Sequence, residues 1–136
     1  MLESAFSIEQ LRESVIAVPP LARDASGEVC PIENGKIIQF IEAGGIRSLL
    51  YGGNAIFYHI RMSEYAKTLG MLAEQSGPET VVVPSIGPAH GFAMDQVDVL
   101  RDFNFPTVML LPSRDVVDQA GIARSVKTIE IGRAHV

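Results

Sequence analysis

The chain is poor in the residues that most often mark a site. Among 136 residues it has one cysteine, Cys30, no tryptophan, three histidines, and Lys36, Lys67 and Lys127 as its only lysines. A single cysteine excludes an intramolecular disulfide framework and fits a reducing compartment, so a soluble cytoplasmic protein is expected. Basic residues are outnumbered, with 11 Lys and Arg against 16 Asp and Glu and a formal net charge of −5. No basic cluster stands out, so the electrostatic footprint that nucleic acid requires is missing. Long apolar runs are missing too. Val81–Val83 and Val108–Leu111 fall far short of the ~20 residues that cross a bilayer, so no membrane partner is expected. Met1–Gln10 carries Glu3 and Glu9 and no Lys or Arg, which does not read as a secretory signal.

What is present is a core-forming composition. Apolar residues make up 47%, charged residues 20%, and mean hydropathy is +0.22, which excludes disorder driven by low hydrophobicity. Length over about 150 gives one domain. Four short apolar runs bounded by Pro, Gly or polar residues read as strands: Val15–Val18, Ser48–Tyr51, Thr80–Val83 and Thr107–Leu111. Continuous rather than alternating apolarity implies burial on both faces, as in a parallel sheet.

Helix-period segments follow each run. Asn34–Ala43 aligns Ile37, Ile38 and Ile41 and stops at Gly44-Gly45. Ser63–Gln75 aligns Tyr65, Leu69, Leu72 and Ala73, with Ser63 as N-cap and Gly77-Pro78 as the stop. Ala93–Phe103 aligns Met94, Val97 and Leu100. A fourth helix, from Arg114 or Asp115 onward, aligns Val117, Ala120 and Ala123, with Gly121 weakening it by roughly 1 kcal/mol relative to Ala. Alternation of strand and helix in units of about 30 residues predicts βαβ units on a parallel sheet. Both a small doubly wound domain and half of a (β/α)₈ TIM barrel, typically ~250 residues when complete, satisfy that pattern.

Function in a parallel α/β sheet resides in the loops that leave the C-terminal strand ends. After the second strand, Gly52-Gly53-Asn54 offers close backbone approach, free N–H groups for a carboxylate or phosphate, and an orienting amide; it reads equally as a tight turn needing positive φ. It matches neither G-x-G-x-x-G nor a Walker loop. His59 and His90, after the second and third strands, have the chemistry of a general base or metal ligand, but no H-E-x-x-H or H-x-H spacing accompanies them, and a structural role is the simpler reading. Asp24 and Asp115 read as turn and N-cap residues. Ser113 and Arg114 stand where a helix N-terminus would receive an anion, or in a solvated loop. Phe57 and Tyr58 read as packing beneath the second loop. All three lysines fall on helical segments, away from the strand ends where a desolvated Schiff-base amine would stand.

Residues 14–29, S-V-I-A-V-P-P-L-A-R-D-A-S-G-E-V, resemble the opening V-x-P-x-x-x-D-G-x-V stretch of the dihydrodipicolinate synthase / N-acetylneuraminate lyase family. Ile38 to Gly45 resembles that family's first helix ending in Gly. Gly52-Gly53-Asn54-Ala55, followed by Ser63-Glu64-Tyr65, occupies the place of its G-T-T-G-E loop and next helix start. Val83–Gly87 and Leu111-Pro112 match the ends of its third and fourth strands. The resemblance runs from about Ser14 to Lys127 and implies the N-terminal half of a (β/α)₈ TIM barrel, truncated after about four βα units. It further implies a class I aldolase or lyase, oligomeric when complete as a tetramer or dimer, that binds pyruvate or a related 2-keto acid as a Schiff base without a cofactor. The family's lysine, on the sixth strand, and its tyrosine, after the fifth, fall outside this chain, so no catalytic residue is expected within it. Gly52, Gly53, Asn54 and Ser113 are the expected substrate-binding residues. The family's two loop threonines fall on Gly53 and Asn54, and its aromatic pair after the fourth strand on Ser113 and Arg114, which marks a divergent member.

The expected organisation is a helical lead-in over 1–13, a partial barrel over 14–129, and a non-native tail over 130–136. That tail, E-I-G-R-A-H-V, back-translates to a string containing the start of a common short-read sequencing adapter. Two rival readings stand beside the lyase: a non-enzymatic α/β binding or regulatory domain, and a metal-dependent barrel enzyme using His59 and His90.

Overall fold

Each of the four apolar runs contains a strand, and each is followed by a helix. The computed structural model describes residues 1–4, 7–13, 15–113 and 118–129. In chain order the elements are α1 (Ile8–Glu13), β1 (Ile16–Ala17), α2 (Pro31–Ala43), β2 (Ser48–Tyr51), a 3₁₀ turn (Phe57–His59), α3 (Met62–Gln75), β3 (Val81–Ile86), α4 (His90–Leu100), β4 (Met109–Leu110) and α5 (Gln119–Thr128). The tail assigned to 130–136 lies outside the described residues, as do Arg114, Asp115 and Val117.

The strands form one parallel sheet in the order β1-β2-β3-β4. Ile16 aligns with Ser48, Ser48 with Val81, and Ser85 with Met109. A doubly wound sheet reverses its strand order at a switch point, and this sheet does not. Helices α2, α3 and α4 pack in succession. Ile38 of α2, Tyr65, Leu69 and Leu72 of α3, and Ala93, Val97 and Leu100 of α4 join one buried cluster with Leu49 and Tyr51 of β2 and Val82 and Ile86 of β3. Successive strand side chains point to opposite faces. Leu50 and Val83, only half-buried, therefore look toward the face that a barrel turns inward. The architecture is an open arc of four βα units, half of a (β/α)₈ barrel.

Several boundaries differ from the sequence reading. α2 begins at Pro31, three residues early, because proline suits the first helical position. Asn34 is therefore a buried residue of the first turns and not the helix start. Arg61, not Ser63, is the N-cap of α3, and it makes no side-chain cap. β3 runs through Pro84 to Ile86. Pro84 is tolerated because β4 pairs only with Ser85 and Ile86, so at Pro84 the strand has a neighbour on one side. α4 starts and stops three residues before the reading from periodicity. In α5 the stripe through Ala120 and Ala123 is exposed; Gly121, Ile122 and Ser125 are half-buried instead, and Ile129 beyond the helix is buried. Asp118 is the N-cap of α5, and its Oδ1 accepts from the Gly121 N–H in the first turn at 2.7 Å.

Candidate functional site

The C-terminal ends of the four strands converge on one end of the sheet, and the loop after β2 is its most constrained part. Phe57 N–H donates to the Gly52 carbonyl at 3.1 Å and Ile56 N–H to the Gly53 carbonyl at 3.1 Å, folding the segment back on itself. Phe57 is fully buried between Tyr51 and Tyr65, with ring centroids 6.2 and 5.5 Å away, and so anchors the loop to β2 and α3. Burial pushes the phenols of Tyr51 and Tyr65 well above their ordinary range, so both stay neutral. Tyr65 donates to the Ser85 carbonyl on β3.

The two glycines of this loop do different things. A Cβ on Gly52 would lie 2.6 Å from the Met109 methyl of β4, so its missing side chain makes room for Met109. Gly53 is exposed, with open space where its Cβ would be. Neither has positive φ; that conformation falls to Ile56, at φ 50°. A β-branched residue in the left-handed region carries strain of roughly 1–3 kcal/mol, a feature that clusters at ligand-binding turns. The sequence reading missed Ile56, because nothing in its neighbours announces the strain.

Asn54 is fixed by its partner on the adjacent unit. Its Nδ2 donates to the Val18 carbonyl at 2.9 Å, joining the ends of β1 and β2. One amide hydrogen is left for a ligand. Among the described residues, the backbone N–H groups of Gly53 and Asn54 have no protein acceptor. The exposed corner thus presents two backbone donors and one side-chain donor, a set suited to a carboxylate.

Ser113 belongs to a recess that Gly52, Gly53 and Asn54 do not line. It lines a cavity of about 220 Å³ between the β3 and β4 loops and α5, with Pro88, His90, Pro112 and Ser125. There His90 Nδ1 and Ser125 Oγ are 2.7 Å apart. At the end of β3, Gly87 has φ +105°, and a Cβ there would collide with the Leu111 carbonyl, so only glycine fits.

The remaining candidates take structural places. Asp24 is the turn residue its position implied: Oδ1 accepts from Ser26 N–H at 2.8 Å, Ser26 Oγ at 2.6 Å and Glu28 N–H at 3.1 Å. The Ser26 hydroxyl is the main reason its carboxyl lies below the ordinary value. His59 lines a cleft beside the β1 loop, a different cavity from that of His90. Among the described residues, no three His, Cys, Asp or Glu side chains gather as metal ligands. The metal-enzyme reading loses its support on that geometry. Lys36, Lys67 and Lys127 lie on α2, α3 and α5, so no described lysine stands on a strand or at its end.

No protein-family model and no curated protein sequence matches the chain. Solved structures do match. A dihydrodipicolinate synthase from Bacillus clausii superposes with a TM-score of 0.74 at 21% identity, over 86% of this chain and 40% of that one. YagE, a prophage protein of the dihydrodipicolinic acid synthase family from E. coli K12 whose structure holds pyruvate, superposes at 0.73 with 14% identity, over 86% and 41%. The chain has the dihydrodipicolinate synthase fold. It spans about 40% of the length of these two synthase-fold structures, as four units of an eight-unit barrel do. The non-enzymatic α/β binding or regulatory domain finds no support in this match. No described helix is long and apolar enough to cross a membrane.

Proposed function

We propose that this chain is the N-terminal half-barrel of a divergent dihydrodipicolinate synthase-family lyase or aldolase. Its substrate is pyruvate or a related 2-keto acid, held as a Schiff base on a lysine outside this chain. The observation that carries this reading is the superposition over 86% of the chain on a synthase and on a family member whose structure holds pyruvate. The donor set at Gly53 and Asn54 supports it, because a keto acid needs its carboxylate fixed before a distant amine meets its carbonyl. Two backbone N–H groups and the spare Asn54 amide hydrogen would hold that carboxylate, with Gly52 keeping Met109 in place behind them. Ser113, in the cavity beside α5, would face the far end of a longer substrate.

The half-barrel extends over 14–129, after a helical lead-in over 1–13, and 130–136 is a non-native tail. The complete protein would be a cytoplasmic homo-oligomer, and this chain alone would be inactive. Genomic sequencing downstream of Thr128 tests the proposal. It is expected to find about 150 further in-frame residues with a lysine in a strand-like run. Borohydride reduction of that longer protein with pyruvate should then give a covalent adduct on the lysine by mass spectrometry. A stop codon directly after Val136, or a folded full-length protein that traps no keto acid, would overturn it.

A further inference from the structure

A second recess lies beside the β1 loop, on the outer side of the strand ends. Two cavities of about 360 and 320 Å³ meet there at Glu28, Arg61 and Glu64. Such volumes lie at the small end of the range for metabolite sites. Gly52, Gly53 and Asn54 line neither cavity, so nothing here depends on the keto-acid reading.

The walls are pre-built. The β1 loop is a tight hairpin, closed by the Arg23–Val29 bridge, the Asp24 turn and Gly27 at φ +86°. Arg23 ties that hairpin to α3, donating to the Gly27 carbonyl at 2.6 Å and to Glu64 at 3.0 Å. This pair consumes one cation and one carboxylate. Arg61, the N-cap of α3, and Lys67 on that helix remain, with Glu28 in the lining of both cavities and His59 in that of the smaller. Among the described residues, neither Arg61 nor Lys67 makes an ion pair. The recess therefore holds a local cationic excess on a chain whose formal net charge is −5. Its floor is apolar, formed by Val29, Pro31 and Met71.

We propose that this recess binds a small monocarboxylate with a short aliphatic body, the carboxylate on Arg61 and Lys67 and the body over Val29, Pro31 and Met71. A planar guanidinium matches a carboxylate in two parallel hydrogen bonds. A body of a few carbons removes apolar floor from water, and Glu28 disfavours ligands of higher negative charge.

Titration of the full chain with butyrate, acetate and inorganic phosphate, followed by ¹H–¹⁵N NMR at fixed ionic strength, tests it. Butyrate should give saturable shifts centred on Val29, Ser63, Lys67 and Met71, which line the cavity that holds its carboxylate and its body. It should bind more tightly than acetate, by up to about fourfold per added methylene. Arg61→Ala should weaken butyrate tenfold or more, while Lys127→Ala, remote on α5, should leave it unchanged. If Arg61→Ala loses its far-UV dichroism, Arg61→Gln and Lys67→Ala carry the same expectation. Shifts that do not saturate, butyrate no tighter than acetate, saturation by phosphate alone, or binding that survives the folded Arg61 variants would each overturn the proposal.

Discussion

Asn34 sits in the first turns of α2 with no solvent exposure, and its amide clamps the loop from β1. Oδ1 accepts from Ala22 N–H at 2.9 Å, and Nδ2 donates to the Ala22 and Cys30 carbonyls at 2.9 and 2.8 Å. Removing it leaves the half-buried Ala22 N–H without its acceptor and takes one of two donors from the Ala22 and Cys30 carbonyls. Asn34→Ala is therefore expected to cost about 2–4 kcal/mol, read as a lower urea midpoint at unchanged slope. The sequence showed only an asparagine near a helix start; its partners become neighbours when the loop folds back. Gly52 and Gly53 teach the same lesson. They are adjacent and chemically identical, yet one is fixed by Met109 across the sheet and the other faces open space. Asp24, by contrast, was legible, because its turn partners lie within four residues.

Helical periodicity placed α2, α3 and α4 and named most of their buried faces, since an amphipathic stripe is written locally. It could not rank the aromatics around them. Phe57, in the 3₁₀ turn, is fully buried against Tyr51 and Tyr65, whereas Phe40 on α2 is 82% exposed. Phe57→Ala should destabilise by about 3–5 kcal/mol in thermal or urea unfolding, with Phe40→Ala within about 0.5 kcal/mol of the parent. Equal losses from the two substitutions would contradict the packing described. α5 shows where periodicity fails. Its exposed alanines and half-buried glycine and serine reverse the stripe, because the Asp118 cap and the His90–Ser125 contact orient that helix.

At the scale of the whole molecule, the open arc leaves apolar surface that its own helices do not reach. Val15 is 66% and Ile16 42% exposed at the β1 edge, and Leu50 and Val83 are half-covered on the inward face. Unpaired edges and apolar faces promote association. The purified chain is expected to self-associate with rising concentration in analytical ultracentrifugation and to bind an apolar dye. A monomer that binds no dye across that range would contradict the exposed arc. The chain's own letters determined the alternation of strand and helix, the parallel sheet and which loops leave the C-terminal strand ends, because burial on two faces and helical stripes are local patterns. Only the tertiary structure decided between a doubly wound sheet and a barrel arc, separated Gly52 from Gly53, and gave Ser113 a cavity beside α5. Those outcomes depend on which strands become neighbours, and contacts between residues thirty or more apart leave no periodic trace in the chain.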